Sequence, residues 1–351
     1  MYTEKQVEDE LNSRYDEKSP KYDEKLNIAI IGKVSAGKSS LLNAILGCDK
    51  LNKQAPVGAV SGVTTGISKY KLGDNVLIMD SPGLSDIRKE NSQVTKDFLS
   101  KVDVGIFVVT GSADAGQKDN YDDLKATCKK IIVVLNKIDE WNKQSKSLEK
   151  VVKQWHQVLG LLENQKIFPT CSFGYDPDTD VDVDVDLRGI DELRGELFAF
   201  LETEGKALLL AKHLKNKNIY ANRIITLALG AVAAEAVLPG SSIYITATQA
   251  IAIASLYYLY KGEVLSKSSA LAMMPTFIAQ GIGSNIFLLV KSFLPPTGVL
   301  DVAAAAVAAG LTFGMLKAVA WMLENGHSLD DKALLAAKFL DFRKSYKIEK
   351  K

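Results

Sequence analysis

The chain has 351 residues, with 43 basic and 42 acidic side chains and a net charge of +1 when histidine is neutral. That length points to two or more domains, and the balanced charge excludes a generic polyanion-binding role, so nucleic acid is not an expected partner. Cys48, Cys128 and Cys171 lie far apart in no metal-ligand spacing and read as free thiols of a reducing, cytoplasmic setting.

The start is polar and acidic, without the apolar run of an export signal or a glycine for lipid attachment, so it is predicted to be neither leader nor anchor. Within residues 1–25, Val7, Leu11 and Tyr15 recur at every fourth position, which predicts a short helix packing one apolar stripe on the rest of the fold. From residue 26 to 203 short β-rich runs alternate with helical patterns. Residues 27–31, 76–79, 104–109, 131–135 and 166–169 read as strands, the buried ones nearly continuous in Val and Ile. Such runs separated by helices predict an α/β fold, a mostly parallel sheet covered by helices on both faces.

The first strand runs into Gly32-Lys33-Val34-Ser35-Ala36-Gly37-Lys38-Ser39, followed by Ser40. Glycines let the backbone curl around phosphate oxygens while amide N–H groups and a helix N-terminus supply positive potential. Gly32, Ser35, Ala36, Gly37, Lys38, Ser39 and Ser40 are therefore the expected phosphate-binding residues, with Lys38 reaching the β- and γ-phosphates and Ser39 holding Mg²⁺. Residues 51–70 carry Pro56, Gly58, Gly62 and Gly66, a composition that predicts ordering only by ligand. Thr64 or Thr65 is expected to reach Mg²⁺ there, Thr65 being preferred; the alternative is two solvated loop threonines.

Asp80-Ser81-Pro82-Gly83 follows the second strand, so Asp80 is placed to hold the metal through water and Gly83 to offer its amide to the γ-phosphate. Asn136-Lys137-Ile138-Asp139 follows a buried strand. Asn136 is expected to brace the loop, Lys137 to cover the base, and Asp139 to accept hydrogen bonds from the N1–H and exocyclic amine of guanine. Adenine lacks that donor pair, and a site built for paired donors rejects such a base strongly. Thr170-Cys171-Ser172 follows the last short strand, and there an amide of Cys171 or Ser172 is expected to meet the guanine oxygen. These residues predict GTP or GDP with Mg²⁺ as the ligands.

Residues 176–186 alternate aspartate with other residues, but no register supplies both the glycine and the bidentate glutamate of a calcium loop, so a solvated loop or edge strand is expected, with weak divalent binding or a basic partner as the alternatives. A helix is predicted over 191–201. Residues 204–351 read as an apolar helical domain, to which the 1–25 helix is expected to pack. Residues 243–260 and 268–290 are free of charge over about 18 and about 23 positions, near the ~20 that cross a hydrocarbon core. Pro275, Gln280 and Asn285 interrupt the longer run, so a very apolar soluble bundle is the leading expectation and membrane docking or insertion the alternative. Residues 302–316 are rich in small side chains that allow close helix approach. Residues 328–346 predict an amphipathic closing helix with Ser328 as N-cap.

Over residues 26–203 the motifs resemble the translation-factor-like GTPases of the P-loop superfamily. Within it, Val34-Ser35-Ala36-Gly37-Lys38-Ser39-Ser40 looks like the phosphate loop of dynamin-type proteins, and the Asp-x-Pro-Gly form is similar to dynamins and immunity-related GTPases. The latter also share this chain's size and a helical domain built from both chain ends. One departure is Leu84, where many regulatory GTPases carry a water-orienting glutamine. The resemblance implies a catalytic role for Ser35 beside Lys38 and Thr65, the alternative for Ser35 being a small residue that merely fits the loop, with help from a monovalent cation and homodimerisation across the nucleotide face; Leu84 predicts slow turnover by the monomer, and the apolar helices make membrane lipid a further candidate partner. The expected function is a GTP-hydrolysing switch; the alternative is a membrane-associated scaffold in which nucleotide is structural.

Overall fold

The computed structural model describes residues 4–49, 54–55, 68–81, 98–141, 145–174, 184–238, 240–276 and 299–346. The chain divides into two compact units, Asp23–Lys215 and the pair Met1–Tyr22 with Asn216–Lys351.

The first unit is built on six strands, numbered here in chain order: β1 (Leu26–Ile31), β2 (Ser68–Leu72), β3 (Val76–Ser81), β4 (Val104–Thr110), β5 (Lys130–Asn136) and β6 (Ile167–Pro169). Their order is β2-β3-β1-β4-β5-β6, all neighbours parallel except β2 with β3. Every residue of β1 is buried, as an unalternating Leu-Asn-Ile-Ala-Ile-Ile run requires when helices cover both faces. The helices are α2 (Lys38–Leu46), α3 (Lys118–Thr127), α4 (Ser145–Leu159), α5 (Ile190–Thr203) and α6 (Ala207–Ala211). On one side Phe107, Tyr121, Trp155 and Leu159 form the core, with the Trp155 indole donating to Gly111 O at 2.9 Å.

The structure adds β2, which the reading of residues 51–70 as an irregular segment missed. Its Ser-Lys-Tyr-Lys-Leu sequence buries only Leu72, because it pairs antiparallel at the sheet edge and its lysines face water. At the opposite end of the strands, Asp103 takes the Asn27 amide at 3.0 Å and the Lys206 ammonium at 2.7 Å. Lys206 also donates to Lys25 O at 2.8 Å, clasping the entry of β1 to the exit of α5. Helix α6, expected within the helical region, belongs to the sheet unit.

The last carbonyls of α2 need partners once buried. Arg194 of α5 supplies them, donating to Ile45 O and Ala44 O at 2.9 Å each, where its charge also suits the negative end of the helix dipole. Arg194→Ala removes the donor to the Ile45 carbonyl and leaves Ala44 O with the Gly47 amide alone, and is expected to destabilise the unit by about 2–4 kcal/mol. Urea unfolding checks this; an unchanged midpoint would mean that water replaces the guanidinium at no cost.

The second unit is helical: α1 (Glu4–Lys18), α7 (Asn218–Glu235), α8 (Ser241–Lys261), α9 (Lys267–Ala272), α10 (Val299–Glu324) and α11 (Lys332–Ser345). Helix α10 packs against α7, α8 and α11, while α8 also carries α1 and α9. The contact of α1 with α8 places the Arg14 guanidinium 4.8 Å from the Tyr244 ring centre, and Tyr15 is buried as its place on the stripe requires. Gln249 and Thr312 bond at 2.8 Å between α8 and α10, giving two apolar helices a fixed register. The N-cap of α11 is Asp331, which accepts the Leu334 amide, and not the expected Ser328, whose hydroxyl accepts the Asp330 amide one turn earlier. Two helices, Ser241–Lys261 and the stretch Ala303–Glu324, are long and apolar enough to cross a membrane, and 61% of each window is buried in the protein. Pro239 and residues 277–298 lie outside the described residues, so most of the charge-free run 268–290 does as well.

Candidate nucleotide-binding site

Strand β1 ends at Ile31 and the chain turns through residues 32–37 into α2. A Cβ at Gly32 would stand 2.2 Å from Val108 O, so only glycine lets the loop lie this close to β4. Gly37 is left-handed (φ 79°), and a Cβ there would meet Asn136 Nδ2 at 2.5 Å. Ser35 is also left-handed at φ 64°, a conformation costing about 1–3 kcal/mol in a residue with a side chain. The bend aims the loop amides inward and leaves the first turn of α2 without a side-chain cap, which is the arrangement that receives phosphate oxygens.

Lys38 is only 5% exposed. Its ammonium donates to Gly32 O at 2.9 Å and Lys33 O at 3.1 Å and lies 3.4 Å from Asp80 Oδ1. Ser39 Oγ donates to Asp80 Oδ2 at 3.1 Å. Burial pushes the Asp80 carboxyl above the usual carboxylate range, while Lys38 and Ser39 pull it back. Asp80 Oδ1 is buried at ion-pair distance from Lys38 but takes no directed hydrogen bond. A buried carboxylate oxygen with spare lone pairs beside a serine hydroxyl is the hard donor set that Mg²⁺ prefers, with phosphate and water oxygens completing it. The residues therefore fit the metal. No group of three or more potential His, Cys, Asp or Glu ligands occurs among the described residues. Thr64, Thr65, Gly83 and Leu84 lie outside the described residues.

The base side is joined to the phosphate side by one amide. Asn136, fully buried at the end of β5, donates from Nδ2 to Ala36 O at 3.0 Å, and its Oδ1 accepts from Thr170 Oγ1 at 3.2 Å. Ser172 Oγ lies 3.2 Å from Asn136 Nδ2 and 3.3 Å from its Oδ1. Lys137 is left-handed (φ 63°), which turns the chain so that Asp139 follows on a short 3₁₀ turn, and Ile138 N binds Thr170 O at 3.1 Å. Asn136 thus links the phosphate loop to the segment after β6.

Cys171 has a different placement from the one expected. Its amide donates to Arg188 O at 2.9 Å, which leaves the Ser172 amide as the candidate for the guanine oxygen. Its thiol instead donates to Asp139 Oδ1 at 3.2 Å. Burial, with the neighbouring Asp139 carboxylate, pushes the thiol up to about 12, so it stays protonated and remains a donor at neutral pH. Cys128 is pushed up to about 11 by burial and Cys48 is raised for the same reason. All three thiols are expected to react slowly with a disulfide reagent at pH 8 in the folded protein and rapidly in urea; a fast native phase at Cys171 would contradict this placement.

Sequence reasoning missed two supports of this site. Asp186 forms an isolated antiparallel bridge with Phe173 and binds the Arg188 guanidinium through both oxygens, at 3.0 and 2.7 Å, which lowers its pKa. The end of the aspartate-rich stretch is therefore a clip on the base loop, whereas residues 175–183 lie outside the described residues. Lys33, beside the phosphate loop, pairs with Asp114, which caps the 3₁₀ turn Ala115–Gln117 after β4. Neither was legible, because both depend on which loops the sheet brings together.

Comparison with known proteins agrees with the motifs. Residues 27–137 match the family model described as 50S ribosome-binding GTPase. The chain is 30% identical over 163 residues to GTPase Der of Persephonella marina, covering 44% of this chain and 36% of that protein. It is 35% identical over 125 residues to tRNA modification GTPase MnmE of Campylobacter jejuni, covering 33% of this chain and 27% of that one. For GTPase Era of Clostridium acetobutylicum the identity is 29% over 153 residues, with 40% and 48% covered. The chain therefore spans between about a quarter and a half of these relatives' lengths. Among solved structures, Era in complex with MgGDPNP and nucleotides 1506–1542 of 16S ribosomal RNA aligns over 50% of this chain and 57% of its own, at 22% identity and a TM-score of 0.33.

That RNA complex, with Era also among the sequence relatives, overturns the expectation that nucleic acid is excluded. Net charge is a sum over the whole chain and does not report a local basic surface. The relatives support the superfamily and not the dynamin-like or immunity-related branch in particular. With a phosphate loop between β1 and α2, Asp80 at the end of β3 and Asn136 to Asp139 after β5, the sheet unit is a P-loop GTPase domain with homologues among Der, Era and MnmE.

Proposed function

We propose that the chain is a GTP-binding, GTP-hydrolysing switch whose nucleotide state is passed to the helical unit. The observation that carries it is the cluster of buried Lys38 and Asp80 with half-buried Ser39 at the mouth of the phosphate loop. An ammonium, a hydroxyl and an under-bonded carboxylate have no use there as a core, and each has one toward a magnesium triphosphate. Ser39 and Asp80 would hold Mg²⁺, which when bound neutralises charge on the β- and γ-phosphate oxygens. Lys38, already held by two loop carbonyls, would turn its charge to the same oxygens. Water then attacks the γ-phosphorus in line, the bond to the β-phosphate oxygen breaks, and GDP and phosphate leave.

Leu84 cannot hydrogen-bond the attacking water, so the isolated chain turns over slowly, and a second copy across the nucleotide face completes the site as in dynamin-like and immunity-related GTPases. Ser35 and a monovalent cation act between the β- and γ-phosphates in this reading. Its support is that Ser35 is exposed and held left-handed beside Val34, which is 48% exposed on the rim. The chain is cytoplasmic, and its helical unit docks reversibly on membrane; Ile219, Leu227 and Leu238 form an exposed apolar series along and just beyond α7 that supports this.

GTP turnover measured against protein concentration, in potassium and in sodium, with and without liposomes, tests the whole reading. Specific activity is expected to rise with concentration and in potassium. Turnover at the uncatalysed background under every condition would favour the scaffold alternative, in which nucleotide is structural. Since Era is solved with 16S ribosomal RNA, the same assay with added ribosomal RNA separates an RNA-stimulated switch from a membrane-stimulated one.

A further inference from the structure

Phe173 follows directly on the buried Thr170-Cys171-Ser172 segment of the base side, yet it is 45% exposed. None of the expected nucleotide motifs uses it. Single apolar side chains are common on protein surfaces, so exposure alone says little. The place where this ring is held says more.

The Cys171 amide donates to Arg188 O, and Phe173 pairs with Asp186 in an antiparallel bridge. Both pairs obey one register, so residues 171–173 and 186–188 form a short antiparallel ribbon. In extended chain alternate side chains share a face, and directly opposed residues lie on the same side. Cys171, Phe173, Asp186 and Arg188 therefore stand on one face, where Arg188 binds Asp186 through both carboxylate oxygens. Ser172 stands on the other, its hydroxyl beside Asn136. The first face is the one that meets the base-reading loop, because the Cys171 thiol lies on it and reaches Asp139 Oδ1 at 3.2 Å. Two residues of extended chain span about 7 Å, so a flat base bonded along one edge to Asp139 lies within reach of the Phe173 ring.

We propose that Phe173 is a base-stacking residue, its ring covering a face of the guanine whose edges Asp139 and the Ser172 amide read. The assignment rests on the guanine-nucleotide reading above. Hydrogen bonds to the edge select guanine, whereas an aromatic ring is attracted to the flat face of any base. The two contributions are therefore separable by changing the edge of the base and leaving its face.

The test measures affinities for GDP, inosine diphosphate and ADP by calorimetry in the wild type, Phe173→Ala, Phe173→Leu and Phe173→Trp. Inosine lacks the exocyclic amine that Asp139 is expected to bind. Phe173→Ala is expected to weaken GDP and inosine diphosphate alike, by about tenfold, Phe173→Leu by less, and Phe173→Trp to stay within about threefold of the wild type. Emission of the added tryptophan is expected to be quenched as GDP binds. The leucine form keeps apolar bulk and decides the matter if the alanine form is insoluble. Unchanged GDP affinity in whichever of these two folds would overturn the proposal. So would a loss tenfold larger for GDP than for inosine diphosphate, because the ring would then only shape the loop that reads the base edge. A wild type that binds ADP as tightly as GDP would instead remove the guanine reading, a failure visible before any variant is compared.

Discussion

Asp139→Asn is expected to lower GDP and GTP affinity by about 10²–10⁴-fold. The carboxylate is expected to accept from two donors of guanine, and charge-assisted hydrogen bonds contribute about 1.5–3 kcal/mol each. The substitution keeps size and shape, and the oxygen that receives the Cys171 thiol at 3.2 Å can be retained, so the loop has no reason to collapse. What changes is one acceptor into an amide donor, which now faces the guanine amine. Xanthine carries an oxygen in that place, so xanthosine diphosphate is expected to bind the variant better than the wild type. Fluorescence titration with both diphosphates reads the outcome. Unchanged GDP affinity would mean that the base is read elsewhere, by the Ser172 amide alone.

Lys38→Ala carries an effect of similar size through a different route. In the nucleotide-free protein it removes the donor to Gly32 O and Lys33 O and leaves the Asp80 carboxyl, 1% exposed, with Ser39 as its remaining contact. Breaking a buried pair costs about 3–5 kcal/mol unless the carboxyl takes up a proton, so a drop in thermal midpoint is expected. With nucleotide present the loss is larger, because the loop then offers the triphosphate its amides but no longer the ammonium charge at its mouth. Affinity is expected to fall by about 10²–10³-fold and hydrolysis to reach background. Lys38→Met restores the buried stem without the charge, and so separates the packing cost from the electrostatic one. Retention of GTP affinity within tenfold in both variants would place the phosphates on backbone amides alone.

The outcome at individual residues shows why parts of this protein were readable and others were not. Strand β1 was expected over residues 27–31 and runs Leu26–Ile31, and β5 was expected over 131–135 and runs Lys130–Asn136. Continuous Val and Ile runs have one stable use, a strand buried on both faces, so their local pattern suffices. Edge strand β2 has no such run, and its pairing with β3 identified it. Ser328 and Asp331 are both competent helix caps; the start of α11, set by packing, decided in favour of Asp331.

The phosphate and base phrases could be read from sequence alone because their chemistry is local. A left-handed turn at Gly37, an amine at Lys38 and a carboxylate at Asp139 are properties of a few consecutive residues, whatever surrounds them. The connections between those phrases are of another kind. Asn136 reaches Ala36 across 100 positions, Arg194 caps α2 across 149 and 150, and the Arg188 carbonyl claims the Cys171 amide that would otherwise have been assigned to guanine. Each needs two distant segments brought to within about 3 Å by sheet order and register. Directional contacts between remote residues leave no periodicity or spacing in the chain, and only the tertiary structure could decide them.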